Sequence, residues 1–275
     1  MKRSFSIAFS VIVLCVLLLL PTTFVRAYYE GYSTTNYQAI ETPVEDGKWT
    51  TPDEWVDAQV PTNLPATFNW RDKWTWPGNI IEHFLIEFFT DNTTDAGDYF
   101  QLCVDCNANG GTAPQDDDFR IDYVGHDVSG LTVYQGNGAG WEEYTDYTWP
   151  DQIYINDSIS SSPLDSNPHW IIEVLMDRTK FDVSGAGYAP WIRMAVYDES
   201  NSSAGVQAWP PTSPDVPDDW GLETGTTENI PETPTIVAVA LLSFAAVAVS
   251  FYCLRKRPKT ESHNLRKTGQ MNYKG

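Results

Sequence analysis

Hydrophobic residues recur at every second position in several short segments of the chain. These segments are 84–89, 119–124, 170–176 and 191–196. A period of two is typical of β-strands, because successive side chains of a strand point to opposite faces of the sheet. Segments rich in glycine, asparagine, aspartate and proline, such as 91–98 and 107–118, separate them. The pattern predicts an all-β fold, an antiparallel β-sandwich.

Two longer apolar runs interrupt this pattern, one near each end of the chain. The first, residues 7–20, follows Lys2 and Arg3 and precedes the sequence Val25-Arg26-Ala27, which suits signal peptidase. This arrangement predicts a signal peptide at residues 1–27. An uncleaved N-terminal anchor is the alternative.

The second apolar run, residues 236–254, has no charged residue and would be about 28 Å long as a helix, close to the hydrocarbon thickness of a bilayer. Basic residues follow it directly, and acidic residues precede it. The positive-inside rule therefore predicts a transmembrane helix at 235–254 and a cytoplasmic tail at 255–275. We expect a single-pass protein of the cell membrane with an extracellular N-terminal domain.

The predicted extracellular part is strongly acidic. Residues 28–234 contain seven basic and 36 acidic residues, which gives a formal net charge of −29. Such a polyanion repels nucleic acid and anionic lipid, and it suits cations or neutral ligands. Nucleic acid is therefore excluded as a partner.

Composition also predicts where the folded domain ends. From residue 209 onward proline and aspartate become frequent, and threonine, glutamate and proline dominate up to residue 234. We expect a β-sandwich ectodomain at residues 28–220 and a stalk at 221–234. Residues 230–236 resemble the Pro-Glu-Phe-Pro-type sequence that precedes the terminal helix of many archaeal surface proteins, with Thr233 in place of Phe.

The motifs present do not indicate catalysis or a cysteine-based scaffold. The chain has no Gly-x-Ser-x-Gly, no His-Glu-x-x-His and no phosphate-binding glycine-rich loop, so we expect no enzyme. Cys103 and Cys106 are the two cysteines of the extracellular part, too few for a zinc ribbon or a disulfide-rich fold. A local disulfide and two free thiols both fit.

Segment 45–58 resembles the opening of family 9 carbohydrate-binding modules and of the related DOMON-like domains. That family begins with Asp-Gly, a spacer, and Glu-Trp followed by a small residue. The matching residues here are Asp46, Gly47, Glu54, Trp55 and Ala58. Segments 97–105 and 117–123 resemble two later strands of the family, so the resemblance extends over residues 42–220. It implies a β-sandwich that binds carbohydrate.

Aromatic residues support a sugar ligand independently of this resemblance. All 11 tryptophans lie in residues 28–220, and flat aromatic faces stack on the C–H faces of sugar rings. The tryptophans predicted to bind a polysaccharide or cell-wall glycan are Trp70, Trp74, Trp76, Trp141 and Trp149. Burial in the core is the alternative for each of them, and Trp55 is expected to be structural.

A calcium-loop pattern follows the strand that ends at Asp105. Asp105, Asn107 and Asn109 precede Gly110 in the spacing Asp-x-Asn-x-Asn-Gly, and Asp116 occupies the twelfth position. Glutamate is usual at that position, and the flanking segments are predicted strands rather than helices. These four oxygen-bearing residues form a predicted calcium site, with a polar hairpin loop as the alternative.

Two other functions stay open. Some DOMON-like domains bind b-type haem through methionine and histidine, so the resemblance implies a possible electron-transfer domain. The candidate ligands here are Met176, Met194, His83, His126 and His169. A structural or adhesion protein of the cell envelope is the other alternative.

Three Asn-x-Ser/Thr sequons lie in predicted loops, at Asn92, Asn156 and Asn201. They predict an outward-facing glycoprotein.

Overall fold

The computed structural model describes residues 28–76, 80–181 and 189–226. Its strands are β1 (Ser33–Gln38), β2 (Phe68–Thr75), β3 (Ile81–Phe88), β4 (Tyr99–Asp105), β5 (Asp118–Val124), β6 (Leu131–Gly136), β7 (Trp141–Glu143), β8 (Ile153–Ser160), β9 (His169–Asp177), β10 (Trp191–Tyr197), β11 (Gln207–Trp209) and β12 (Gly221–Gly225). The described helices are 3-10 turns of three residues, at Pro52–Glu54, Val128–Gly130, Ser202–Ala204 and Pro217–Asp219. The all-β prediction is confirmed for this part of the chain.

The strands form one curled sheet in the order β7-β6-β5-β4-β10-β12-β1-β2-β3-β9-β8, with β11 added beside β10. We call the part from β7 to β12 half A and the part from β2 to β8 half B. Strand β1 joins the halves, because its first four residues pair with β12 and its last two pair with β2. Both pairings of β1 are parallel, whereas the other pairings are antiparallel, so the antiparallel prediction holds except at this junction.

Inward-facing residues of the two halves pack against each other and form the main core. Phe84 and Ile86 of β3 contribute from half B, and Phe100 and Leu102 of β4 contribute from half A. All four are fully buried. Burial of apolar side chains between two sheet faces is the main stabilising term of a sandwich, at about 1.5–3 kcal/mol for each large side chain.

Half B also carries an apolar layer on its outer face. Trp49, Trp55 and Ala58 lie over Leu85 and Ile171, whose side chains point away from the main core. Trp55 is fully buried, as its predicted structural role requires. We call residues 49–58 the covering segment. It buries the outer face of half B, which explains why β3 and β9 are apolar at both odd and even positions.

A buried lysine fixes the covering segment to β2. Lys73 is fully buried, and its Nζ donates to Asp57 Oδ1 and to the backbone carbonyl of Glu41, both at 2.8 Å. The ammonium group also lies 5.3 Å from the centre of the Trp55 ring. Loss of one partner of a buried pair leaves an uncompensated charge, so this contact is structurally important.

The folded domain extends beyond its predicted end at residue 220. Residues Gly221–Gly225 form β12, which lies between β10 and β1 inside the sheet, so the predicted stalk cannot begin at 221. Trp209 and Trp220, which flank the proline-rich segment, are fully buried. Proline and aspartate in this segment therefore belong to an ordered surface loop rather than to a linker.

The two cysteines are free and buried. Cys103 contacts Trp191 and Trp220 on the outer side of half A, whereas Cys106 belongs to the main core. Of the two alternatives that the sequence left open, the structure has free thiols.

Within the described ranges, no helix is long and apolar enough to cross a lipid bilayer. The predicted signal peptide, transmembrane helix and cytoplasmic tail lie outside the described residues. They stay predictions.

Candidate functional site

Outward-pointing residues of half A combine aromatic rings with planar polar groups. They alternate with core residues along β4, β5, β6 and β10, and Trp141 follows on β7. We call these residues the outer face of half A: Tyr99, Gln101, Arg120, Asp122, Tyr134, Trp141, Arg193 and Tyr197. Apart from Arg193, which is buried, each is partly exposed to solvent.

Hydrogen bonds link four of these side chains in a row across three strands. Arg193 Nη1 donates to Gln101 Oε1 at 2.7 Å, and Gln101 Nε2 donates to Asp122 Oδ1 at 2.9 Å. Asp122 Oδ2 pairs with Arg120 Nη2 at 3.1 Å. Because each group is held by its neighbours, the row presents fixed donors and acceptors without large entropy loss on binding.

Aromatic rings lie on two sides of this row. On one side, next to Gln101 along β4, Tyr99 and Tyr197 stack with ring centroids 5.4 Å apart and an interplanar angle of 19°. On the other side, the Arg120 guanidinium lies 4.2 Å from the centre of the Tyr134 ring and 5.2 Å from that of Trp141. The face therefore has aromatic surfaces on either side of a polar centre.

The loop before β12 borders the face and orients two of its residues. Asp215 Oδ1 accepts a hydrogen bond from Trp141 Nε1 at 3.0 Å, and the carbonyl of Thr212 accepts one from Arg193 Nε at 2.8 Å. The Trp141 ring is also parallel to that of Trp220, with an interplanar angle of 3° and centroids 6.4 Å apart. These contacts hold Trp141 in a defined orientation.

Two polar atoms beside the row, Arg120 Nε and Thr212 Oγ1, are buried. Neither has a hydrogen-bond partner in the described part of the chain. Burial raises the pKa of Asp122, while Arg120 acts in the opposite direction. Unsatisfied buried donors are uncommon in proteins. The face thus has spare hydrogen-bonding capacity for a polar ligand.

The five tryptophans predicted to bind sugar occupy different environments. Trp70 is fully buried in the main core and cannot stack on a ligand, because β2 directs it inward. Trp74 is 9% exposed, whereas Trp76 is 57% exposed at the end of β2. Trp149 stacks on Tyr154 with centroids 5.0 Å apart. Of the five, Trp141 is the one that lies on the outer face of half A.

The predicted calcium loop brings together a different set of carboxylates from the one expected. Oxygens of Asp105, Asp117 and Asp118 lie within 4.8 Å of one another. Asp105 also accepts hydrogen bonds from the backbone N–H groups of Asn109 and Gly110, as a turn at that glycine predicts. Of the four predicted ligands, Asp105 is the one that lies in this acidic group.

The other predicted ligands lie outside this carboxylate group. Asn107, Asn109 and Asp116 are exposed, and Asn109 Nδ2 is 3.4 Å from Asp117 Oδ1. The sequence pattern counted positions from a helix-flanked loop, but here β5 begins at Asp118 and sets the positions of its neighbours. The calcium site stays a prediction, with Asp117 and Asp118 as the carboxylates nearest to Asp105.

A second acidic group lies at the loops before β4 and after β10. Asp91, Asp98 and Asp198 offer oxygens within 4.8 Å of one another, and Asp91 Oδ2 is buried without a hydrogen-bond partner among the described residues. Burial raises the pKa of Asp91 to about 6. Burial lowers the pKa of the neighbouring His126, but hydrogen bonds to Asp157 and Asp98 outweigh it and raise the value to about 9.

The candidate haem ligands are engaged in other contacts. Met176 and Met194 are buried in the main core. Both ring nitrogens of each described histidine contact polar groups: those of His83 contact Thr75 and Glu45, those of His126 contact Asp98 and Asp157, and those of His169 contact Asn167 and Glu87. No observation in the described residues favours haem.

The three sequons differ in accessibility. Asn92 and Asn201 are exposed in loops. Asn156 lies within β8 rather than in a loop, and its Nδ2 donates to the carbonyl of Glu45 at 3.3 Å. Asn92 and Asn201 are therefore the two accessible sequons, and glycosylation stays a prediction.

Sequence patterns did not identify the polar row on half A. Gln101, Asp122 and Arg193 are separated by up to 92 residues along the chain, and their contact depends on the register of β4 with β5 and β10. The sequence does contain one sign of this row, because polar residues alternate with apolar residues along these strands.

Comparison with known proteins gives limited similarity. No protein-family model matches the chain, and no curated protein matches it. Among solved structures, the chain is similar to a family 9 carbohydrate-binding module from Caldicellulosiruptor kristjanssonii in complex with cellotriose, at 15% identity and a TM-score of 0.47, covering 73% of this chain and 97% of that one. A family 9 module from the same organism in complex with glucose gives 16% identity and a TM-score of 0.45, covering 73% and 100%. At these identities and TM-scores, the similarity carries no argument about this chain.

Proposed function

We propose that the outer face of half A binds carbohydrate. The observation that carries the proposal is the hydrogen-bonded row of Arg193, Gln101, Asp122 and Arg120 between two pairs of aromatic rings. Sugars have apolar C–H faces and polar hydroxyl edges, and a site with aromatic surfaces beside fixed amide, carboxylate and guanidinium groups complements both.

The proposed activity is binding without catalysis. Glycoside hydrolysis needs two carboxyl groups about 5–9.5 Å apart on either side of the scissile bond. On the outer face of half A, Asp122 is the carboxylate of the polar row, and both of its oxygens are engaged by Gln101 and Arg120. This arrangement favours recognition of hydroxyl groups over proton transfer.

We also propose that this domain is displayed at the cell surface. The support is the apolar run at 236–254 followed by a basic segment, together with a formal charge of −29 on residues 28–234. Protease applied to intact cells should remove the β-sandwich and leave a small fragment that contains the basic tail. Full protection of the sandwich would contradict this orientation.

Calcium is proposed at the end of β4, with Asp105, Asp117 and Asp118 as ligands. Asp105 and Asp118 are directly opposite in the antiparallel register, an unfavourable position for two like charges. Burial and the neighbouring Asp105 raise the pKa of Asp118 to about 8, and Asp118 Oδ1 is buried without a partner among the described residues. We expect weak affinity, about 10⁻⁴ to 10⁻³ M, as for extracellular calcium modules.

The carbohydrate proposal is tested on a glycan array with the full-length protein and two alanine variants. Trp141→Ala should abolish binding because it removes the aromatic surface beside Arg120. Trp76→Ala is the matched control, since Trp76 is 57% exposed but directly follows β2, away from the outer face of half A. If Trp76→Ala abolishes binding and Trp141→Ala does not, the ligand binds at β2 and the proposed face is refuted.

A further inference from the structure

Three carboxylates meet inside the sandwich where β1 passes from half A to half B. Asp72 on β2, Glu82 on β3 and Glu223 on β12 are each 0% exposed, and one oxygen of each lies within 4.8 Å of the others. An ion that is removed from water costs several kcal/mol unless it is compensated. This group, which we call the interior acidic group, is therefore compensated either by bound protons or by a cation.

Arg178 supplies part of the compensating charge. Its Nε donates to Glu82 Oε2 at 2.6 Å, and its Nη2 donates to Glu223 Oε1 at 3.1 Å. One guanidinium balances one of three carboxylates. Among the described side chains of the group, a formal charge of −2 is left.

Three oxygens in and beside the group are buried and accept no hydrogen bond from the described residues. They are Asp72 Oδ2, Glu223 Oε2 and Asn36 Oδ1. Asn36 is 0% exposed, and its Nδ2 donates to Glu82 Oε1 at 2.7 Å and to Glu223 Oε1 at 3.0 Å, which fixes the amide inside the group. Buried acceptors without a donor are rare in proteins. The amide oxygen is evidence for a missing ligand that is independent of the carboxylates.

We propose that the interior acidic group binds one divalent cation, calcium, through Asp72, Glu223 and Asn36. One divalent ion balances the formal charge of −2, and carboxylate and amide oxygens are the ligands that calcium takes. Calcium–oxygen distances of about 2.3–2.6 Å place opposite ligands about 4.6–5.2 Å apart. Oxygens of the three carboxylates lie within 4.8 Å of one another, close enough to share one such ion.

This site differs from the two acidic groups at the strand ends. It lies between strands of both halves, so a cation there would connect β2 and β12 directly. The site is also fully enclosed, so release of the ion requires the sandwich to open locally. The proposal does not depend on carbohydrate binding.

The test counts bound calcium in the full-length protein by mass spectrometry of the metal. The protein is equilibrated with calcium and freed of unbound ions on a desalting column. The double variant Asp72→Asn with Glu223→Gln should contain one calcium fewer per chain than the unmodified protein. Asp146→Asn is the control, because Asp146 is 88% exposed and lies outside all three acidic groups. Equal calcium content in the double variant and the unmodified protein would overturn the proposal.

A second measurement uses the unmodified protein and so does not depend on folding of the variant. Terbium replaces calcium at oxygen sites, and its luminescence lifetime lengthens in heavy water in proportion to the water molecules bound to it. An enclosed ion should give a long-lived component with nearly equal lifetimes in light and heavy water. If every component lengthens as expected for solvent-exposed ions, the interior acidic group is compensated by protons and the cation proposal fails.

Discussion

The polar row on half A predicts a pH-dependent penalty when Gln101 is changed to glutamate. The amide of Gln101 accepts from Arg193 through Oε1 and donates to Asp122 through Nε2. Glutamate keeps the acceptor but replaces the donor by an oxygen, so two carboxyl groups would lie about 3 Å apart, as in a carboxylate pair that shares a proton.

The size of the penalty follows from Coulomb's law. Two unit charges about 3 Å apart repel by about 1.4 kcal/mol at a dielectric constant of 80 and about 5.5 kcal/mol at 20. Gln101 and Asp122 are partly exposed, and Arg120 and Arg193 lie beside them, so the lower end applies. We expect a loss of about 1–2 kcal/mol at pH 8, which lowers the melting temperature by about 2–8 °C for a domain of this size.

The sign of the pH dependence is fixed by the direction of the pKa shift. Repulsion raises the pKa of the new carboxyl pair in the folded state above its value of about 4 in the unfolded chain. Below that unfolded value both states are protonated and no penalty exists. The loss of stability then grows as the pH rises and becomes complete above the folded-state pKa.

Thermal unfolding of the full-length protein at pH 4 and pH 8 measures this effect. Gln152→Glu is the matched control, because Gln152 Oε1 accepts from the backbone N–H of Thr148 and glutamate can do the same. The difference between Gln101→Glu and the unmodified protein should be much larger at pH 8 than at pH 4, where most of the carboxyl pair is protonated. If its behaviour equals that of Gln152→Glu at both pH values, Gln101 and Asp122 are not in contact and the polar row is refuted.

Three further outcomes are expected. Lys73→Met should lower the free energy of unfolding by about 3–5 kcal/mol in urea titrations because it leaves a buried carboxylate unpaired, whereas Lys180→Met, at a pair with an 88% exposed partner, should cost less than about 1 kcal/mol. Cys103 and Cys106 should resist maleimide until the protein unfolds, since burial raises the pKa of both thiols, that of Cys103 to about 12; labelling of the native protein would contradict this. Mass spectrometry after expression in a glycosylating host should find Asn156 unmodified, and a glycan there would show that β8 is accessible.

Local sequence patterns predicted four of the twelve described strands. The alternation at 84–89, 119–124, 170–176 and 191–196 corresponds to β3, β5, β9 and β10. These strands are long and have one face in the main core, so their side chains record the sheet geometry directly. The turn-rich segments between them also fall where the chain leaves the sheet.

The end of the domain could not be predicted in the same way. Gly221–Gly225 has few apolar residues and follows a segment rich in proline and aspartate. Its place in the sheet is determined by pairing with β1, about 190 residues earlier in the chain. A short strand stabilised by distant partners has no local signature, and composition alone assigned it to a stalk.

The candidate site was predicted only at its edge, through Trp141. Tryptophan can lie in a core or on an exposed surface, and both environments occur here: Trp70 is fully buried, while Trp76 is 57% exposed. The residues between the aromatic pairs are common polar types whose importance arises from cross-strand register. Register is a property of the assembled sheet and cannot be obtained from one strand.

The charge distribution connects the proposed ligand to the rest of the domain. Two of the seven basic residues in 28–234, Arg120 and Arg193, lie on the outer face of half A beside Asp122. The face is therefore close to neutral within a domain whose formal net charge is −29.

Long-range repulsion from the domain opposes an anionic glycan but does not act on an uncharged one. Binding of a neutral glycan should thus be nearly independent of ionic strength, because no net charge is brought together. An affinity that rises steeply with added salt would instead identify an acidic sugar, since salt screens the repulsion of the domain.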